Sequence, residues 1–170
     1  ENPLPELPQP QHFEPDDVLV GIQNGDFSLS DPLSEGFGWD IQGGGYVSDG
    51  FAILSEDSIL MTRFSQTFML PADVKEMRFT IVGIDLGLGD KGPSDAFQMA
   101  LLDANAQISL LDTSVGLTQT DSLLNVQYNG QTCFGQDVTL PGVINSGDIL
   151  SSTGPFVVTV DLQNVTEDTI

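Results

Sequence analysis

Short apolar runs, each ended by Gly, Asp, Asn, Ser or Pro, follow one another along most of the chain. Apolar and polar residues alternate most clearly in residues 77–84 (MRFTIVGI) and 156–162 (FVVTVDL), and a period of two residues indicates a half-buried strand. Residues 18–22 (VLVGI) and 97–102 (FQMALL) are more continuous and predict buried core strands. No window of about 12 residues has the 3.6-residue period of a helix.

The remaining predicted strands are short and lie close together along the chain. The turns at 103–105 and 129–130 predict two hairpins, each joining the strands on either side of it. Many short strands separated by Gly and Asp turns predict an all-β protein, which we expect to be an antiparallel jelly-roll β-sandwich. The shorter predicted strands are residues 37–41, 46–54, 64–70, 108–111, 123–128 and 131–134.

Two segments are predicted from this pattern. Residues 1–16 are proline-rich and lack periodicity, so we expect an extended arm or linker, whereas residues 17–170 form the β-sandwich module.

A jelly roll is normally closed by a strand beside the first one, and none follows Leu162. We therefore expect an open sheet edge, through which other protein chains, including copies of this one, can pair. The start at Glu1 suggests removal of a leader or preceding domain, and proteolysis of a longer chain is the alternative.

The acidic composition of the chain narrows the expected partners and ligands most. The chain has 25 Asp and Glu against four Lys and Arg, a formal net charge of -21. This charge repels phosphate backbones and anionic lipid, so we expect no nucleic-acid partner, and no stretch is apolar enough for membrane insertion. Asp far outnumbers Glu, which suits both turns and calcium loops. Calcium binding is our interpretation, with halophilic surface acidity as the alternative.

The residues of common catalytic devices are scarce. Cys133 is the single cysteine, which excludes an intrachain disulfide and a cysteine zinc site. The single histidine, His12, lies in the proline-rich arm, so a Ser-His-Asp device is not expected. Two carboxylates would suffice for glycoside hydrolysis, but no acid has a distinctive context, and we expect a non-catalytic protein. A sequon at Asn164 fits a secreted, extracellular or cell-surface location.

The string Asn24-Gly25-Asp26-Phe27, followed by Gly38-Trp39, resembles the opening of carbohydrate-binding-module jelly rolls with the galactose-binding-like fold. Residues 53–58, 65–68 and 95–103 extend the resemblance, in particular to modules repeated in large bacterial surface and matrix proteins. The resemblance implies a structural calcium ion with Asp26 as a ligand and carbonyl oxygens from residues 44–48. The family's closing acidic strand is not found here.

Further metal candidates come from their placement at strand ends. Calcium takes six to eight oxygen ligands, so carboxylates must converge from separate loops. Glu56 and Asp57 follow a predicted strand and Asp95 precedes another, which places all three where loops gather. The alternative is that these side chains cap turns through local hydrogen bonds. The loop 85–95 also resembles calcium loops loosely, but it lacks the EF-hand pattern.

Aromatic side chains that stack on pyranose rings would mark a glycan site. Trp39, Tyr46, Phe51 and Tyr128 are the candidates, although Trp39 also suits the core. With only one Trp and two Tyr, the chain is poor in such residues, which favours adhesion or assembly over glycan binding. The sequence therefore predicts a calcium-stabilised extracellular module for adhesion or assembly of a surface or matrix structure. The alternative is a carbohydrate-binding module appended to a larger secreted enzyme.

Overall fold

The computed structural model describes residues 11–57, 61–87, 94–113, 121–150, 153–166 and 169–170. In this part of the chain the regular structure is β-strand, apart from one short 3-10 turn at Pro15–Asp17, and all the strand pairs are antiparallel. The predicted all-β class is thus confirmed, and the antiparallel sheets are consistent with a β-sandwich. The jelly-roll order of strands and the absence of a closing strand stay predictions.

The chain folds as two compact units, an N-terminal unit (residues 1–71 with Ile170) and a C-terminal unit (residues 72–169). The proposed arm at residues 1–16 lies partly outside the described residues. Its described end contains the turn at Pro15–Asp17. The predicted division into an arm and a single module stays a prediction.

Two antiparallel strand pairs build the N-terminal unit. Strand β1 (Asp40–Gln42) pairs with β4 (Arg63–Ser65), and β2 (Gly44–Ser48) pairs with β3 (Phe51–Ser55). Only Gly43 separates β1 from β2, so the two strand pairs follow one another as one two-stranded ribbon, with residues 56–62 between β3 and β4.

The side chain of Thr62 links the paired ends of strands β2 and β3. Its hydroxyl donates to the Ser55 carbonyl oxygen at 2.5 Å and accepts from the Gly44 backbone N–H at 3.0 Å. Beside this point a Cβ on Gly45 would lie 2.8 Å from side-chain atoms of both Ile41 and Phe64. A residue without a side chain is therefore required there for the two halves of the ribbon to join.

The turn of the β2–β3 hairpin is set by its sequence. Asp49 and Gly50 have φ values of 52° and 79°, so both lie in the left-handed region. A two-residue loop with two positive φ values is a type I′ turn, which favours Asn-Gly and Asp-Gly. This turn aligns Ser48 with Phe51 and Tyr46 with Ile53.

The first sheet of the C-terminal unit has the strand order β5-β10-β9. Its strands are β5 (Glu76–Ile81), β9 (Val138–Thr139) and β10 (Phe156–Asp161). In the central strand β10, Val158 and Val160 are fully buried whereas Val157 and Asp161 are exposed. The predicted period of two is thus realised, and each buried aliphatic side chain contributes about 2 kcal/mol through burial.

The second sheet of the C-terminal unit has the order β6 (Ala96–Met99), β7 (Leu124–Gln127) and β8 (Thr132–Phe134). Leu124 and Val126 on β7 are among the most buried side chains of the described chain. The β7–β8 hairpin turns where the Gly130 N–H donates to the Gln127 carbonyl oxygen at 2.8 Å. The hairpin predicted across Asn129-Gly130 is therefore confirmed, and an isolated bridge between Leu102 and Ser109 confirms the other.

Two segments predicted as buried core strands are not buried, although residues 97–99 of the second do form a strand. In residues 18–22, Leu19 and Val20 are 62% and 54% exposed, and the segment makes only an isolated bridge from Val20 to Met69. In residues 97–102 the strand β6 ends at Met99, and its side chains are half-buried or exposed. A continuous apolar run in the sequence does not show whether its side chains are buried, because burial depends on what packs against them.

Replacing Gly135 by alanine should destabilise the C-terminal unit by about 2–3 kcal/mol. The added methyl group would overlap the carbonyl oxygen of Asp112, and the Gly135 N–H already donates to the Leu123 carbonyl oxygen at 2.8 Å. Gly83→Ala is the matched control, because no heavy atom lies within 4 Å of its added Cβ. In urea unfolding, the midpoint should be lower for Gly135→Ala than for Gly83→Ala. Equal midpoints would contradict the crowding at Gly135.

Candidate functional site

The loop that contains Asp26 is held by the side chain of Asn24. The Asn24 amide accepts from the Leu29 N–H at 3.0 Å and donates to the Leu29 carbonyl oxygen at 2.9 Å. The Phe27 N–H donates to the Asn24 carbonyl oxygen at 3.1 Å, which completes a tight turn. Asn24 tolerates its φ of 47° because short amide side chains adopt the left-handed region more readily than most.

The carboxylate of Asp26 accepts a hydrogen bond from the Ser28 N–H at 3.1 Å. Hydrogen bonds from the backbone and side chain of Ser28 lower the pKa of Asp26 below its ordinary value of 3.8. The carboxylate is therefore ionised at neutral pH and oriented within the turn. This is the turn-capping role, and it leaves the exposed carboxylate with further acceptor capacity for a cation.

Trp39 packs in an aromatic cluster (Phe27, Trp39 and Phe64). Its ring centroid lies 5.3 Å from that of Phe27 and 6.3 Å from that of Phe64, both within the range of favourable ring contacts. The indole Nε1–H donates to the Asn24 carbonyl oxygen at 3.1 Å. Trp39 thus joins the Asp26 loop to the β1–β4 pair, and the structure gives it a packing role.

Glu56 and Asp57 lie where the chain leaves the ribbon after β3. Both are exposed, at the start of the segment 56–62 between β3 and β4. Residues 58–60 of this segment lie outside the described residues. The strand-end placement predicted for these two acids is therefore confirmed by the end of β3 at Ser55.

Asp95 belongs to the C-terminal unit, just before β6. Its carboxylate accepts from the Gly87 N–H at 2.9 Å, and its own N–H donates to the Gly87 carbonyl oxygen at 3.3 Å. This reciprocal pair closes the base of the loop 85–95, most of which lies outside the described residues. Asp95 therefore joins the two ends of this loop through hydrogen bonds with Gly87.

The metal candidates are divided between the two units. Asp26, Glu56 and Asp57 belong to the N-terminal unit and Asp95 to the C-terminal unit. In the part of the chain that the structure describes, no three His, Cys, Asp or Glu side chains are arranged to hold a metal ion. Residues 44–48, whose carbonyl oxygens the resemblance suggests as ligands, are strand β2. Calcium binding stays a prediction.

Tyr46 and Phe51 are exposed on the same side of the β2–β3 hairpin. Residues paired across antiparallel strands share a face, and so do residues two apart along a strand. The pairs Tyr46–Ile53 and Ser48–Phe51 therefore place both aromatic side chains on one face. Their exposed fractions are 49% and 46%. The Asp-Gly turn at residues 49–50 is the sequence signal from which this register can be derived.

Tyr128, the third aromatic candidate, lies in the β7–β8 turn of the C-terminal unit and is 42% exposed. Tyr128 and the aromatic face of the hairpin belong to different units. His12 is also exposed, and its Nε2 lies 3.1 Å from a carboxylate oxygen of Glu14.

Comparison with protein-family models, with curated proteins and with solved structures found no match to this chain. The resemblance to galactose-binding-like modules therefore stays a prediction. Among the described residues no helix is long and apolar enough to cross a membrane.

Trp39→Ala should destabilise the protein by about 2–3 kcal/mol, because it removes a half-buried ring and a hydrogen bond to a backbone carbonyl. Tyr46→Ala should change stability by less than about 1 kcal/mol, because half of that side chain is already exposed. Thermal unfolding followed by far-ultraviolet circular dichroism measures both. A Trp39→Ala protein as stable as the wild type would contradict the packing role.

The ionised form of Asp26 should stabilise the folded chain, because its pKa is lowered on folding. This contribution is fully present above the unfolded value of 3.8 and is lost as pH falls through the lower folded pKa. The difference in Tm between wild type and Asp26→Asn should therefore narrow on acidification through that window. A difference that is independent of pH, or an NMR titration of Asp26 with no lowered pKa, would refute the expectation.

Proposed function

We propose that this chain is a non-catalytic extracellular module, stabilised by calcium, that serves adhesion or assembly through contact with other protein chains. The observation that carries the proposal is the β2–β3 hairpin. Among the described residues, no other strand pairs with β2 or β3 in a sheet, and one face carries two half-exposed aromatic side chains.

A two-stranded hairpin of this kind is suited to protein contact for a physical reason. A narrow two-stranded ribbon gains stability when another surface covers its exposed aromatic side chains or extends its edge. Adjacent exposed aromatic residues are also typical of interface centres rather than of ordinary surface. The hairpin therefore provides a place where a partner chain can bind.

Calcium enters the proposal through the acidic surface. With a net charge of -21 the folded chain is destabilised by repulsion among its own carboxylates, and a divalent cation relieves that repulsion wherever oxygen ligands converge. Asp26 is ionised, exposed and fixed by Ser28, which suits a ligand. Glu56 and Asp57 offer two further exposed carboxylates in the same unit.

Calcium should raise the free energy of unfolding of the purified chain. Extracellular modules bind calcium with dissociation constants near 1 mM, so about 10 mM calcium should add about 1.4 kcal/mol and raise Tm by about 4 °C. Magnesium at equal ionic strength is the control for simple charge screening. Differential scanning calorimetry gives Tm, and sedimentation velocity gives the state of assembly.

Asp26→Asn should reduce the calcium effect more than Asp31→Asn does. Asp31 is a matched control because its carboxylate also accepts a backbone hydrogen bond two residues on, from Leu33 at 2.9 Å. The proposal fails if the chain has the same Tm with and without calcium and binds neither itself nor another protein.

Glycan binding by a module appended to an enzyme is the second candidate, and the same hairpin face supports it. Tyr46 and Phe51 are exposed on one side of a two-stranded element, and exposed rings can stack on sugar rings. Affinity electrophoresis on soluble polysaccharides separates the two proposals. Retardation that Tyr46→Ala abolishes would favour glycan binding over protein assembly.

A further inference from the structure

The exposed face of the β2–β3 hairpin, which we call the ribbon face, combines apolar and polar side chains in a fixed order. Its members follow from the strand register: Gly44, Tyr46 and Ser48 on β2, and Phe51, Ile53 and Ser55 on β3. Tyr46 lies opposite Ile53, and Phe51 is diagonal to Tyr46, which brings the two rings within reach of one ligand. The face itself carries no charged side chain.

Carboxylates bracket the ribbon face at both ends. Asp49 occupies the turn beside Phe51, and Glu56 and Asp57 follow Ser55 at the opposite end. All three are exposed. Strand β3 has five residues, so the two acidic ends are separated by about 17 Å of strand.

Cations are scarce in the sequence of the N-terminal unit. Arg63 is the only Lys or Arg in residues 1–71, and its guanidinium lies 4.0 Å from the Asp40 carboxylate. Acidic residues therefore far outnumber cationic ones within residues 1–71, and the exposed carboxylates Asp49 and Glu56 give the two ends of the ribbon face a negative potential. Aromatic faces add to this potential, because the ring quadrupole attracts cations.

We propose that the ribbon face binds an extended, basic segment of a partner protein, with apolar side chains on Tyr46 and Phe51 and cationic side chains at the two acidic ends. An extended segment is favoured because it spans about 17 Å with five residues and presents alternate side chains to one face. The inference rests on the proposed function and names the class of its partner.

A second copy of this chain fits the ribbon face poorly. Each copy carries a net charge of -21, so two ribbon faces would bring Asp49, Glu56 and Asp57 of both molecules together. Like charges brought into one interface oppose association unless cations intervene. A basic partner, by contrast, is attracted before contact and neutralised on binding.

The test uses a fluorescein-labelled peptide that alternates Arg and Val, with a peptide that alternates Glu and Val as its charge-reversed control. Binding is measured by fluorescence anisotropy in about 150 mM salt. At this ionic strength long-range electrostatic attraction is screened, so the affinity reports contact between peptide and protein. The double variant Tyr46→Ser, Phe51→Ser retains the net charge and should weaken binding of the basic peptide at least about tenfold. Tyr128→Ser, which alters an exposed tyrosine of the C-terminal unit, should leave the affinity unchanged.

A single-charge variant keeps the inference testable if the double variant does not fold. Asp49→Asn preserves the turn, since Asn also accepts a φ of 52°, and should weaken binding about threefold. Asp73→Asn is its matched control, because Asp73 is exposed, has a φ of 66° and lies outside the ribbon face. Equal losses for the two variants would indicate non-specific attraction and overturn the inference.

Other outcomes separate this inference from the proposed function. Self-association that the Tyr46→Ser, Phe51→Ser variant abolishes would support assembly but overturn the basic partner. Polysaccharide binding that depends on Tyr46 would overturn both. Binding of the basic peptide with an unchanged affinity in the double variant would overturn the inference alone.

Discussion

The burial of β10 between β5 and β9 is the interaction on which the C-terminal unit depends. Val158 and Val160 are fully buried on one side of this strand, while Thr159 and Asp161 point the other way. Because side chains alternate along a strand, a shift of one residue in register would exchange the buried and exposed sets. The apolar inner face therefore selects the pairing with β5, and the rest of this sheet follows from it.

The N-terminal unit is organised differently, since its described core is small. Phe37, Val47 and Leu70 are its buried apolar side chains, and the aromatic cluster adds half-buried rings. Hydrogen bonds from Asn24, Thr62 and Gln66 to backbone groups hold its loops in place. The small core leaves Tyr46 and Phe51 half-exposed on the β2–β3 hairpin, and the proposed function rests on that face.

Much of the fold could be predicted from short-range pattern, and the candidate site only in part. Strands β5 and β10 were predicted from alternation, and the β7–β8 hairpin from its Asn-Gly turn, because each signal is contained within a few residues. Strand β9 was missed, since two residues carry no period. The carboxylates Asp26 and Asp95 were identified as candidates, but their hydrogen bonds to Ser28 and Gly87 came only from the folded loops.

The sequence by itself determined the all-β class, the acidity and the positions of the tight turns, since composition and local backbone preference are properties of neighbouring residues. Only the tertiary structure decided which aromatic side chains are packed and which are free to bind. Trp39 contacts Phe27 and Phe64, whereas Tyr46 and Phe51 remain half-exposed. That division depends on contacts between residues far apart in the chain, and no local pattern contains them.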